Sequence, residues 1–253
     1  MTLAIETSGL TRQFGDMRAV DALDLRVEPG KFYGFLGPNG AGKSTTIKML
    51  TGLLAPTSGT MRLLGEDLAD ANRAREIRRR VGVVPENLAL FDNLTAREYL
   101  TFTGRMYLLP PATVRERCRE LLVMMNLDGE EKKLTLEYSH GMKKKLALAA
   151  ALLPNPDLLF LDEPFEGVDA VASRTLRDTL QSFVKRGATV FLTSHVLEIV
   201  EKLCTDVGII AKGRLVHQTS MAEIRQAGSL EERFLAAVGN GQVETQKLSW
   251  LEE

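Results

Sequence analysis

An apolar run, residues 31–36, passes directly into Gly37-Pro38-Asn39-Gly40-Ala41-Gly42-Lys43-Ser44-Thr45, and helical spacing follows over residues 43–53. A buried strand, a glycine-rich loop and a helix N-terminus in immediate succession admit few folds. The loop fits the pattern G-x-x-x-x-G-K-[ST], which carries meaning only with a strand before it and a helix after it, and both are present. Glycine lets backbone amides close on an oxyanion, and the helix N-terminus adds the positive end of its dipole. The expected ligand is a nucleoside triphosphate, with Lys43 reaching its β and γ phosphates and the Ser44 hydroxyl ligating Mg²⁺. A glycine-rich turn with an incidental lysine is the competing explanation, and the flanking strand and helix count against it.

Around this loop the chain alternates. Residues 3–7, 25–28, 59–64 and 81–84 read as strands, with Pro29-Gly30 punctuating a turn. From about residue 88 to 153 the pattern becomes helical, with residues 96–107 and 113–125 separated by Pro110-Pro111. A third helix starts at Ser139, a good N-cap because its hydroxyl can accept from free amides of the first turn. Met142, Leu146, Ala149 and Leu153 mark its apolar face until Pro154-Asn155-Pro156 ends it. Strand and helix then resume over residues 158–161, 170–186, 188–193 and 196–203, and residues 207–211 and 214–217 straddle Lys212-Gly213 as a hairpin. The prediction is an α/β fold built on a phosphate-loop NTPase core. It has a mainly parallel sheet, an antiparallel β part near the N-terminus and an inserted helical subdomain. The expected divisions are residues 1–87 and 154–220 for the core, 88–153 for the helical insert, and 221–253 for a polar tail whose Gly239-Asn240-Gly241 suggests a weakly packed end.

A second group of residues bears on chemistry. Residues 158–161 are an apolar strand that ends in Asp162-Glu163. Asp162, at the strand's C-terminal end, can hold Mg²⁺ through water, and Glu163 is then placed to orient and polarise an attacking water. By itself such a pair reads as a solvated turn, and the phosphate loop in the same chain shifts the balance to catalysis. Lys143, Lys144 and Lys145 read as the solvated first turn of the third helix, with phosphate contact as the alternative. Leu88, Leu90, Phe91 and Leu94 read mostly as core of the helical insert.

Charge and hydropathy limit the partners. Lys plus Arg number 32 against 33 Asp plus Glu, a net charge of -1, and aromatic residues are only 6%, so neither the basic excess nor the stacking surface of a nucleic-acid binder is present. The longest unbroken apolar stretch, residues 146–153, falls well short of the roughly 18 residues that suggest a membrane span. Residues 1–10 contain Glu6 and no basic residue, which does not match a signal peptide. Cys118 and Cys204 form no metal-ligand spacing, so reduced, cytosolic thiols are the expectation.

Taken in order, these motifs resemble the nucleotide-binding subunit of ABC transporters over roughly residues 3–221. Phe14 stands where the family has the A-loop aromatic that stacks on adenine. The run Gly37 to Thr46 corresponds to Walker A and its first helical turn, and Asp162-Glu163 to Walker B with the catalytic glutamate. Gly167-Val168-Asp169 resembles the D-loop, and His195 in Thr193-Ser194-His195 matches the switch histidine that contacts the γ-phosphate. The signature loop, usually Leu-Ser-Gly-Gly-Gln, here reads Tyr138-Ser139-His140-Gly141-Met142, which keeps a hydroxyl, a glycine and a helix N-terminus. At the Q-loop, Val83-Val84-Pro85-Glu86-Asn87 replaces glutamine by Glu86, a carboxylate able to ligate Mg²⁺. Both departures resemble the branch whose partners are exporter-like, ABC-2 type permeases.

The resemblance implies ATP and Mg²⁺ as cofactors and a composite site from two chains. One chain would supply Phe14, Lys43, Ser44, Thr45, Glu86, Asp162, Glu163 and His195, and a second nucleotide-binding subunit, identical in a homodimer, would supply Ser139 and Gly141, with Asp169 in its D-loop nearby. It also implies an integral membrane permease as partner, so that the subunit sits peripherally on the cytoplasmic face of the membrane. A soluble ATPase of the same type that remodels macromolecular complexes is the alternative, and a regulatory module with little turnover a third.

Overall fold

A computed structural model describes residues 2–239 of the chain. β1 (Ile5–Phe14) and β2 (Met17–Val27) form a long antiparallel hairpin, and β3 (Phe32–Leu36) runs into the glycine-rich loop and α1 (Lys43–Leu50). β4 (Ser58–Leu63) pairs with β1, β5 (Glu66–Asp67) extends that sheet, and α2 (Ala71–Arg78) leads into β6 (Val81–Val84). Three helices follow, α3 (Ala96–Met106), α4 (Pro111–Met124) and α5 (His140–Leu152). The chain then alternates through β7 (Leu158–Asp162), α6 (Ala170–Lys185), β8 (Thr189–Thr193), α7 (Leu197–Leu203) and β9 (Asp206–Ala211). β10 (Arg214–Ser220), α8 (Met221–Ala227) and α9 (Leu230–Val238) complete the described part.

The small sheet is antiparallel with order β2-β1-β4-β5, and the large one has order β10-β9-β3-β8-β7-β6. In the large sheet every pairing from β9 to β6 is parallel and only β10 runs the other way. Parallel strands covered on both faces should be apolar throughout, and β3, β7 and β8 are buried at every position. Side chains alternate across a strand, so these residues divide between two cores. Tyr33, Phe35, Phe160 and Phe191 join the hairpin and α1 on one face, where Phe191 lies 5.5, 5.2 and 5.5 Å from Tyr33, Phe35 and Phe160, ring centre to ring centre. Phe32, Leu36, Leu159, Leu161, Val190 and Leu192 join the helices on the other.

The parallel register places the chemistry. Phe35 pairs with Thr193 and Thr193 with Asp162, so the exit of β3 into the loop and the ends of β7 and β8 lie side by side. Ligands of open α/β sheets bind beyond the carboxyl ends of such strands.

The predicted α/β class, with its mainly parallel sheet, antiparallel N-terminal sheet and helical segment, matches the architecture. Four local expectations need correction. The strands expected at residues 3–7 and 25–28 extend into a ten- and an eleven-residue strand. Register shifts between Thr7 and Leu10, Leu10 and Arg12, and Arg12 and Gln13 interrupt the pairing, so the buried Leu10, Val20 and Leu23 do not continue the simple alternation that marks a strand. Pro111 begins α4 instead of lying in a break, since the missing N–H is harmless in a first turn. α2 was not expected, and Asp70 caps it by accepting from the amides of Asn72 at 2.9 Å and Arg73 at 3.2 Å. The tail expected from residue 221 contains the helices α8 and α9. Ser229 and Glu232 form a capping box for α9, and Leu230 is fully buried. Asn240-Gly241 and the rest of the tail lie outside the described residues.

Candidate functional site

A cleft of about 660 Å³ opens at the carboxyl ends of β3 and β7, a size suited to a small-molecule ligand. Its floor is the glycine-rich loop and the start of α1, contributing Asn39, Gly40, Gly42, Lys43, Ser44 and Thr45. Phe14, Met17 and Ala19 of the hairpin form one wall, and Glu86, Asp162, Glu163, Glu166 and His195 the other.

Local geometry explains the glycine that ends the loop. Gly42 is the N-cap of α1 at φ 107° and ψ 8°, in left-handed space, and a Cβ there would lie 2.4 Å from the Ala19 carbonyl oxygen. Lys43 is 8% exposed and folds back over the loop, its Nζ donating to the carbonyls of Gly37 at 2.8 Å and Pro38 at 3.2 Å. Pro38 also closes the turn by accepting from the Ala41 amide at 3.1 Å. The Ser44 hydroxyl donates to Glu86 Oε2 at 3.2 Å, which ties the first turn of α1 to the segment after β6. Thr46 stands apart from the other loop residues. It is fully buried, and its amide and hydroxyl donate to the Gly42 carbonyl at 2.9 and 2.8 Å, leaving no free donor for a ligand.

The acidic wall is built from three chain segments. Asp162 is 3% exposed and accepts from the Thr193 hydroxyl. Glu163 turns the chain sharply off β7 with φ 49°, a conformation uncommon for a residue with a side chain. Its amide donates to the Thr193 hydroxyl at 3.2 Å and its carboxylate Oε2 lies 3.0 Å from His195 Nδ1. Thr193, at the end of β8, thus ties the Asp162 carboxylate to the Glu163 backbone.

Ser139, Gly141 and Asp169 are not part of this cleft in the single chain. Ser139 caps α5, accepting from the Met142 amide at 3.2 Å. His140 lies against Gly167, where a Cβ would stand 3.0 Å from its Cδ2, and a Cβ on Gly141 would stand 2.9 Å from the Gly167 carbonyl. Asp169 caps α6 through the Ala172 amide at 2.8 Å and pairs with Lys145 at 3.0 Å. Those two contacts, the amide first, hold its carboxyl below the usual range. The start of α5 and the loop before α6 are therefore bound to each other.

The lysine run after the signature is not a solvated turn. Lys144 is 1% exposed, Lys145 pairs with Asp169, and Lys143 reaches Asp92 at 3.3 Å. Burial pushes the Lys144 ammonium below the ordinary lysine value, opposed by Glu166, Glu163, Asp162 and Glu86. Sequence reasoning did not single out Met17, Ala19 and Glu166 of the cleft, and it misread Lys144, because helical position and charge carry no signal for a lysine that points back into its own protein.

The donor set suits one kind of metal. Ser44, Asp162 and Glu86 offer hard oxygens, and Ser44 and Glu86 already touch. Among the described residues no group of three His, Cys, Asp or Glu converges into an all-protein cage.

Comparisons with known proteins point in one direction. The family model described as ABC transporter matches residues 20–166. The bacitracin transport ATP-binding protein BcrA of Bacillus licheniformis is 39% identical over 227 residues, 89% of this chain and 72% of that protein. The daunorubicin/doxorubicin resistance ATP-binding protein DrrA of Streptomyces peucetius is 40% identical, over 89% of this chain and 68% of its own length. A solved ATP-binding subunit of an ABC transporter superposes with a TM-score of 0.87 at 30% identity, covering 93% of this chain and 99% of that one.

Proposed function

This chain belongs to the ABC transporter family, and from that premise we propose that it is the ATP-binding and ATP-hydrolysing subunit of a transporter, working with a separate membrane permease. The observation that carries this is the convergence of Lys43, Ser44, Asp162, Glu163 and His195 on one cleft at the ends of parallel strands. In this role Phe14 receives the base, and the loop amides and Lys43 bind the phosphates. Ser44, Asp162 and Glu86 would hold Mg²⁺, which when bound offsets charge on the phosphates. Glu163 accepts the proton side of the attacking water, and His195, 3.0 Å from its carboxylate, keeps it aimed and faces the γ-phosphate.

Ser139, Gly141 and Asp169 do not line this cleft, and Ser139 and Asp169 are exposed, which supports their use across an interface with a second copy. ATP then joins two chains because both surfaces bind one triphosphate, and losing a phosphate removes contacts that favoured closure. Among the described residues no helix is long and apolar enough to cross a membrane, and in this reading the transport path is assigned to a partner. An apolar groove lined by Val83, Pro85, Leu88, Leu90, Tyr99 and Tyr107 supports docking of a permease helix beside Glu86. BcrA and DrrA support placing that permease in the exporter-like branch. Purified chain should hydrolyse MgATP and sediment with membranes when co-produced with its permease. Sedimentation with ribosomes or nucleic acid in place of membranes would overturn the transport role, and absence of turnover in both settings the ATPase role.

Two further outcomes follow from the walls of the cleft. Phe14 presents a ring face without a hydrogen bond to read a base edge, and stacking tolerates any base. GTP hydrolysis is therefore expected within about an order of magnitude of ATP, a difference below ~1.4 kcal/mol. A hundredfold preference for ATP in a steady-state assay would contradict this. At Glu86, a carboxylate beside a triphosphate repels it unless a cation lies between them, and becomes a hard ligand once one does. Glu86→Gln should bind ATP better than the parent in EDTA, yet need more Mg²⁺ for half-maximal hydrolysis. Identical titrations for parent and variant would remove Glu86 from the metal site and leave it to the permease surface.

A further inference from the structure

The hairpin wall of the cleft has a back as well as a front. Phe14 lines the cleft and is 43% exposed, whereas the guanidinium of Arg12 lies 4.5 Å from the centre of the Phe14 ring and outside the cleft lining. Arg12 and Phe14 are two positions apart on β1, where alternate side chains share a face. The guanidinium does not wander: Nη1 donates to the Ala55 carbonyl at 2.8 Å. The backbone is stitched down at the same place, Gln13 N to Thr57 Oγ1 at 3.0 Å and Thr57 N to Thr11 O at 2.8 Å. Arg12 Nε is buried with no hydrogen-bond partner among the described residues, so the guanidinium is held through Nη1 and its contact with the ring.

We propose that Arg12 is a positioning residue for the nucleobase: it covers one face of Phe14 and holds the ring as a fixed platform, so that a planar base completes a three-layer stack from the cleft side. This rests on Phe14 being the base platform of an ATP site. A phenyl ring at a sheet edge that is free to turn loses that freedom when a base stacks on it. A ring already held by a flat, weakly hydrated cation loses less, and the saving appears as affinity. The contribution is felt by whatever carries a base and not by phosphates alone.

Attraction between an arginine and a ring at a partly exposed site sets the scale at about a three- to fivefold change in affinity. The test uses the full-length chain. Arg12→Ala should raise KM for MgATP about three- to fivefold with kcat unchanged, while inhibition by magnesium tripolyphosphate, which has phosphates and no base, stays as in the parent. Arg12→Lys, which keeps the charge and loses the flat fork, should fall between the parent and Arg12→Ala, and it supplies the measurement should the alanine variant fold poorly. In a Phe14→Ala background, Arg12→Ala should add nothing. Equal weakening of ATP and tripolyphosphate, or an undiminished Arg12 effect without the ring, would overturn the proposal and assign Arg12 to holding the segment around Ala55. Phe14→Ala leaving KM unchanged would overturn it by removing the platform. No ATP hydrolysis by the parent, alone or with its permease, would instead remove the ATPase reading beneath it.

Discussion

Glu163→Gln should bind MgATP about as tightly as the parent and lose at least about a hundredfold in turnover, the lower end of what a positioned general base contributes. The two side chains have the same shape, so the sharp turn after β7 and the amide bond to Thr193 are kept. What disappears is the negative oxygen that now stands 3.0 Å from His195 Nδ1. An amide cannot take a proton from water, whereas the phosphate loop, with Lys43 and Ser44, is untouched. Binding without turnover should also prolong the closed state, so size-exclusion chromatography in MgATP should show a dimer for the variant where the parent returns to monomer. Near-normal hydrolysis by this variant would rule out Glu163 as the principal catalytic group.

Gly42→Ala is expected to lower nucleotide affinity by about two orders of magnitude and folding stability by about 2–3 kcal/mol. Two causes add. The backbone at φ 107° lies in space that side chains rarely adopt, and the new Cβ would stand 2.4 Å from the Ala19 carbonyl oxygen. The hairpin strand carrying Ala19 also carries Val20, which is fully buried, so it cannot yield freely. Relief must come from the first turn of α1, which moves the amides of Lys43 and Ser44 off their line toward the phosphates. Gly9→Ala is the matched control. Gly9 has φ 57° with open space around its Cβ position, so backbone strain alone should appear there, with nucleotide affinity unchanged. Calorimetric titration and denaturant unfolding separate the two quantities. Parental affinity in Gly42→Ala would show that the loop does not need this backbone.

The parts legible in the sequence are those whose physics is local. The strand, loop and helix around Lys43 are contiguous, and glycine at position 42 belongs to the loop pattern, whereas the approach of the Ala19 carbonyl that forbids a side chain there is tertiary. Ser139 could be read as a cap because its partner, the Met142 amide, is three residues away. The apolar runs of β3, β7 and β8 announced a sheet buried on both faces. Where local signal was weak, as in the hairpin with its register shifts or the arginine-rich α2, length and identity of elements were missed.

The remaining features depend on residues that chain order keeps far apart. Asp162 and Thr193 meet because β7 and β8 are parallel and in one register, a pairing that no short window contains. The same register brings Glu163 to His195 and lets Thr193 tie the Asp162 carboxylate to the Glu163 backbone. Lys144 is buried because α5 packs its first turn toward the carboxylates of the cleft, overriding the usual preference of a lysine run for water. His140 rests on Gly167, and Lys145 on Asp169, only because α5 and the loop before α6 are brought into contact. Residue types that bind phosphate and polarise water can be written into a sequence one motif at a time. Their distances, and which charges face one another out of water, come from packing between segments that are remote along the chain.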